Sequence, residues 1–190
     1  MQNIRRKPRS DAAQNRERLI EAAKVILGQG GPEASLEAVA RRAGVGIGTL
    51  YRHFPTREAL FRAVYRHEVD QLIELAPELE RMDDGVEALR AWMHANVALV
   101  ATKRGLIGAL AVVVTEESKA MYAEVSIRMN AAVGKLMQRA ISEGALRSDI
   151  TSDDLLKTMY ALCYARQAEP GWEVQVLRLL DIFIDGLRVR

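Results

Sequence analysis

A single cysteine, Cys163, stands among 190 residues. No disulfide can form within the chain, and nothing calls for an oxidising compartment. Runs of alternating Val, Ile, Thr and Tyr are missing, which removes the usual signature of half-buried strands. The longest apolar run, GLIGALAVVV at 105–114, is far too short to span a bilayer, so no membrane partner is expected. Arg5, Arg6, Lys7 and Arg9 lead the chain with no apolar stretch behind them. A secretory signal is therefore not expected, and the cytoplasm is. Repeats and low-complexity tracts are absent. So are the marks of an enzyme: there is no G-x-S-x-G elbow. The run His67-Glu68-Val69-Asp70-Gln71 begins like a zinc-protease helix but has Gln71 where the second histidine belongs. Three scattered histidines make no ligand spacing. No catalytic residue, metal or cofactor is expected.

What is present favours helix. Ala, Leu, Arg and Glu dominate, and about half the residues are apolar, enough for one large domain or two small ones. The net charge of +2 hides an uneven distribution. Residues 1–66 hold 13 Lys/Arg against 6 Asp/Glu, and the remainder 14 against 19. A basic head on an acidic body points to a polyanionic partner for the head.

Along the chain, residues 1–10 read as a flexible basic arm. A first helix is expected from about Ala12, capped by Asp11, to Leu27, ended by Gly28-Gln29-Gly30-Gly31-Pro32. Ser35 caps a second helix, SLEAVARRAG. The turn Ala43-Gly44-Val45-Gly46 follows, then a short helix over 47–53, a break at Pro55, and a long helix, REALFRAVYRHEVDQLIELA, capped by Thr56 and reaching about Ala76. Two short helices about a glycine turn make a helix-turn-helix. Further helices are expected at about 85–102, 104–114, 116–143, 152–168 and 173–188, with breaks at Pro77, Gly105, Gly144 and Pro170-Gly171.

The stretch GVGIGTLYRHF, residues 44–54, has three glycines at alternate positions. A dinucleotide loop would need its third glycine at Thr49 and a strand before it; the segment before it is an amphipathic helix. A helix entering a DNA groove explains the stretch better. Gly46 and Gly48 permit close approach, free N–H groups at the helix start favour phosphate, and Thr49, Tyr51, Arg52 and His53 supply donors. Leu50 and Phe54 face inward.

These residues, with RERLIEAAKVIL before them and PTREALFRAV after, resemble the TetR family of bacterial repressors over about residues 14–64. Val45, Gly48, Thr49, Leu50, Tyr51, His53 and Phe54 fit the family pattern; Gly46 stands where a small polar residue is usual. The resemblance implies phosphate contacts from Tyr51, His53, Arg57 and Ser35, and base-facing positions at Ile47, Gly48, Thr49 and Arg52, with a backbone N–H left at Gly46. Other readings stay open. Tyr51 is otherwise a core aromatic, His53 a cap on the helix end, Arg52 a side chain that meets only phosphate, Ile47 an inward residue and Arg57 a plain surface one.

In the body, EVQVLRLLDIFIDGLRVR is apolar around most of its circumference, and DLLKTMYALCYAR is similarly broad. One neighbour cannot bury such faces. Pairing both with their copies gives a homodimer through about residues 152–188. Met93, Met121 and Met129, with Trp92, His94, Asn96, Tyr122 and Tyr160, make a methionine-rich, aromatic-dotted core suited to an apolar effector. Ordinary core filling is the other reading, and a satisfied structural histidine the other reading of His94.

The expected protein is thus all-α. Residues 1–10 are an arm, 11–60 a helix-turn-helix DNA-binding domain, and 61–190 a helical ligand-sensing and dimerisation domain. The expected function is a ligand-responsive repressor that binds a palindromic double-stranded DNA operator as a homodimer and is released by a small-molecule effector. A ligand-independent DNA-binding regulator and a helical protein-interaction adaptor are the alternatives.

Overall fold

Local sequence chemistry sets most helix ends. A computed structural model describes residues 8–28, 34–111, 115–165 and 171–189. They form α1 (Pro8–Gly28), α2 (Leu36–Arg42), α3 (Ile47–His53), α4 (Arg57–Leu79), α5 (Gly85–Leu110), α6 (Glu116–Ser142), α7 (Ser152–Tyr164) and α8 (Trp172–Gly186). No strand occurs among the described residues; one antiparallel bridge joins Leu146 and Arg188. Ser35 caps α2 by accepting from the Ala38 N–H at 3.1 Å. Thr115 with Ser118, and Thr151 with Asp154, form reciprocal capping boxes on α6 and α7, each satisfying N–H groups that have no partner inside the helix. Asp84 takes the Val86 and Glu87 N–H groups at the start of α5. The Glu87 bond leads in holding its carboxyl below the usual aspartate value.

Four expected boundaries are corrected. The first helix starts at Pro8, not near Ala12, because proline fits a first turn, where its missing N–H costs nothing. Of the expected arm, residues 1–7 lie outside the described residues, as do Pro170 and residues 29–32 of the expected stop, whose first residue, Gly28, is the last of α1. Pro77 does not end its helix: it sits within α4 near the end, and the Glu80 N–H to Ala76 carbonyl bond at 3.0 Å carries the turn past it. Gly105 does not divide two helices. It lies inside one continuous α5, where it faces the end of α1. A Cβ there would stand 1.7 Å from the Gly28 carbonyl oxygen, so this glycine marks close helix contact. The expected 152–168 helix ends at Tyr164 with Ala165 as its cap, and residues 166–168 lie outside the described residues.

The chain forms two compact units. The first comprises residues 1–67 with 102–113, the second 68–101 with 114–190. The first unit therefore extends past residue 60 and takes in the end of α5, which a linear division of the chain leaves out. Its core is Leu19, Ile20, Ala23 and Leu27 of α1, Val39 and Ala40 of α2, Leu50, Phe54, Leu60, Phe61 and Val64, closed by Leu106 and Leu110. Phe61 and Tyr65 stack with rings 5.9 Å apart, and the Lys103 ammonium lies 5.3 Å from the Tyr65 ring centroid. Burial pulls the Lys103 pKa down to about 8. His67 on α4 reaches two glutamates one turn apart on α1, with Nε2 2.8 Å from Glu21 and Nδ1 3.4 Å from Glu17; these bonds pin α4 to α1.

In the second unit Leu89, Trp92, Met93, Asn96, Val97 and Val100 make one buried stripe of α5, at the three- and four-residue spacing of a helix face. Met121, Met129, Val133 and Leu136 of α6, Leu155, Met159 and Cys163 of α7, and Val176, Leu180 and Ile184 of α8 complete the core. Polar ties lie around it. Arg90 bridges Asp181 at 2.9 Å and Asp185, Arg128 meets Asp70 at 2.6 Å, and the Arg139 guanidinium donates to the Glu80 carbonyl at 2.6 Å. No helix among the described residues is long and apolar enough to cross a membrane.

Candidate nucleic-acid interface

The turn between α2 and α3 is a Schellman closure. The Gly44 N–H reaches the Arg41 carbonyl at 3.1 Å and the Val45 N–H the Ala40 carbonyl at 3.0 Å, so two terminal carbonyls of α2 are satisfied. Gly44 has φ +69°, a conformation that other residues rarely tolerate. Arg18 stands beside the turn, its Nη1 3.7 Å from where a Cβ on Gly44 would lie.

Gly46 and Gly48 differ from Gly44. Gly46 is the α3 N-cap with φ −73°, and no side chain caps the helix there. A Cβ on either glycine meets nothing within 4 Å. The fold itself does not need a glycine at these two positions. Their smallness leaves the α3 N-terminus bare toward solvent, with its first N–H groups unencumbered.

Leu50 and Phe54 are buried and anchor α3, as their spacing predicts. The Arg16 guanidinium covers the Phe54 ring at 5.4 Å. The opposite face of α3 is open: Ile47 is 37% exposed and Tyr51 48%, so neither is an inward core residue. Gly48 and Arg52 are exposed beside them, Thr49 and His53 half-buried. Arg52 lies along its own helix, donating from Nη2 to Thr49 Oγ1 at 2.9 Å and from Nε to the Gly48 carbonyl at 3.3 Å. Thr56 caps α4 through the Ala59 N–H, and Arg57 is exposed in the first turn. Ser35, half-buried, spends one lone pair on its cap, and its O–H remains able to donate. Arg41 and Arg42, exposed at the end of α2, add two guanidinium groups that the sequence reading passed over. Their position just before the glycine turn was the available signal.

The eight candidate effector residues all fall in the second unit. Trp92 is a satisfied core residue, its Nε1–H donating to the Leu72 carbonyl at 2.9 Å. Met93, Met121 and Met129 are buried. His94 turns toward α8, with Nε2 2.7 Å from Asp181. Asp181 is held below the usual aspartate value: burial opposes ionisation, but bonds from Arg90 and His94 outweigh it. Asn96 is fully buried, and among the described residues neither its Oδ1 nor its Nδ2 has a hydrogen-bond partner. Tyr160 lies beside it. Burial raises the Tyr160 pKa, and the Asn96 amide partly offsets this without meeting the phenol in bonding geometry. Tyr122 is also raised, by burial and then by Tyr164. An open groove of about 480 Å³ elsewhere in this unit is lined by Ile141, Leu146, Arg147, Asp149, Arg188 and Val189 among others, and by none of the eight.

Comparison with known proteins accords with this geometry. Residues 19–64 match the family described as bacterial regulatory proteins, tetR family. Residues 84–189, more than half the chain, match the C-terminal domain described as transcriptional regulator SbtR-like. A TetR transcriptional regulator from Streptomyces coelicolor, SCO0520, has a solved structure that is 37% identical with a TM-score of 0.75, covering 91% of this chain and 98% of that one. The TetR regulatory protein of Mycobacterium vanbaalenii is 32% identical with a TM-score of 0.72, covering 96% and 100%. Curated relatives are matched over shorter spans. The HTH-type regulator TtgW of Pseudomonas putida is 35% identical over half of this chain and 67% of its own length. SAR0097 of Staphylococcus aureus is 36% identical, with 39% of its length spanned. The chain belongs to the TetR family of transcriptional regulators, helix-turn-helix DNA-binding proteins and not enzymes.

Proposed function

We propose that the chain is a cytoplasmic repressor that binds a palindromic operator as a homodimer and is released by a small-molecule effector. The observation that carries the DNA half of this reading is α3 itself. It is anchored by Leu50 and Phe54 and presents Ile47, Gly48, Tyr51 and Arg52 to solvent beyond a glycine-bare N-terminus. In the proposed complex Tyr51, His53, Arg57 and the Ser35 hydroxyl hold phosphates, as does the Gly46 N–H. Arg52 reads a guanine edge after giving up its bond to Thr49, whose methyl, with Ile47, faces a thymine methyl. Arg41 and Arg42 add electrostatic attraction.

The dimer is supported by what α8 leaves uncovered. Val176, Leu180 and Ile184 are buried, yet Val174 is 73% and Ile182 63% exposed, with Leu179 and α7's Tyr164 also open. A second copy covering these faces makes a four-helix contact. Two recognition helices then serve half-sites one helical turn, about 34–36 Å, apart or a multiple of that. Both α4 and α5 run between the two units, so a ligand preferring one state of the second unit has continuous helices through which to act. A hundredfold loss of operator affinity asks for about 2.7 kcal/mol of coupling.

The complete burial of Trp92, Met93 and Met129 favours a second reading, a regulator with a filled core and no effector. The test is selection of genomic fragments by the purified protein, followed by anisotropy titration against salt. Tight binding to a palindrome with a steep salt slope, by a species of twice the chain mass, is expected. Weak, sequence-indifferent binding by a lone chain refutes the proposal.

A further inference from the structure

Asn96 is out of place energetically. It sits midway along the buried stripe of α5, flanked one turn to either side by Met93 and Val100, where an apolar side chain of the same size would pack without loss. Instead a primary amide is fully buried with neither its carbonyl oxygen nor its NH₂ bonded to any described residue. Native interiors pair nearly all such groups, and each exception calls for an explanation. The cost is incurred only while the amide lacks a partner.

We infer that Asn96, with the Tyr160 phenol beside it, is the recognition point for a neutral small molecule that presents a hydrogen-bond acceptor and donor side by side, as a carboxamide or lactam does, on an apolar body. The ligand class follows from the groups present. A primary amide offers one acceptor and donors on one edge, and its best complement is another amide edge, which closes two bonds at once. Both protein groups are uncharged: the phenol stays protonated because burial disfavours its anion. An ionic ligand would lose its hydration without gaining a counter-charge from either of them. Met93, a turn before Asn96, is unbranched and able to repack around a guest. This inference rests on the reading of the second unit as a sensor and adds to it the chemistry sensed.

The test uses the full chain and two probes, benzamide and 2-piperidone, with benzoate and toluene as comparators. Isothermal titration should give saturable binding of at least one amide probe, at least tenfold tighter than benzoate or toluene. Asn96→Leu should weaken that probe at least tenfold, while its urea midpoint certifies that it is folded. Tyr160→Phe should weaken it several-fold, and carries the test if the leucine variant does not fold. The bound probe should also shift the side-chain NH₂ resonance that Asn96→Leu removes. No binding of either amide at millimolar concentration, or equal binding to the variants, overturns the inference. Operator anisotropy separates it from the sensor reading. Asn96-dependent amide binding that leaves DNA affinity unchanged keeps the site and refutes the sensor. Operator release by a compound indifferent to both variants keeps the sensor and refutes the site.

Discussion

Replacing Gly105 by alanine puts one methyl group 1.7 Å from the Gly28 carbonyl oxygen, 2.5 Å from its carbon and 3.0 Å from its Cα. All three atoms are backbone, so no flexible tip can swing aside. Carbon needs roughly 3.5 Å from such neighbours. The end of α1 and this part of α5 must therefore part by on the order of 1.5–2 Å, opening the contact around Leu27 and Leu106. Overpacking of this kind costs about 1–3 kcal/mol, occasionally more, and a backbone obstacle belongs at the upper end. Alanine returns about 1 kcal/mol through helix propensity. The net loss is then about 2 kcal/mol, or roughly 4–8 °C in Tm for a chain of this size. Gly108, a turn further along α5, is the internal control. A Cβ there meets nothing within 4 Å, so Gly108→Ala should gain up to about 1 kcal/mol from propensity alone. Helical circular dichroism through thermal and urea unfolding measures both. If Gly105→Ala proves as stable as Gly108→Ala, the close approach is not real, and the reason offered for a glycine at this position fails with it.

Three other outcomes are expected. Tyr51→Phe should weaken binding to all DNA sequences alike, whereas Arg52→Ala should relax the preference at one base position by about 1–3 kcal/mol; operator and mismatched duplexes in parallel anisotropy titrations tell these apart, and identical profiles would contradict the assignment. Ile182→Glu places a charge on the open face of α8 and should give a species of single-chain mass by light scattering, with a Tm that no longer depends on concentration. Asp181→Asn should cost stability at pH 7. The folded Asp181 pKa lies below the unfolded one, so the ionised carboxylate stabilises the fold above about pH 4 and that contribution disappears as pH falls through the folded value. With the side chain 37% exposed, solvent screening keeps the difference below about 1 kcal/mol. Urea midpoints at pH 7, 5 and 3 should converge at the acid end; a constant gap would assign the loss to packing.

Legibility followed the range of the forces involved. The caps at Ser35 and Thr56, the turn at Gly44 and the inward pair Leu50 and Phe54 depend on contacts a few residues apart, and sequence spacing reports them directly. The role of Gly105 was misread because a glycine in a helix looks alike whether it breaks the helix or admits a neighbour. Only the carbonyl of Gly28, distant in the chain, tells the two apart. His94 and Asn96 looked equivalent as polar groups on an apolar helix. Asp181, 87 residues away, satisfies one, and nothing among the described residues satisfies the other.

By itself the sequence determined the helices, the helix-turn-helix and the basic head, since propensity, capping and charge are properties of neighbouring residues. Tertiary structure alone decided that the end of α5 belongs with the DNA-binding unit, that His67 clasps Glu17 and Glu21, that Ile47 and Tyr51 face solvent, and that one buried amide is left without a partner among the described residues. Each depends on surfaces brought together from distant parts of the chain, and a linear pattern holds no record of which surfaces meet.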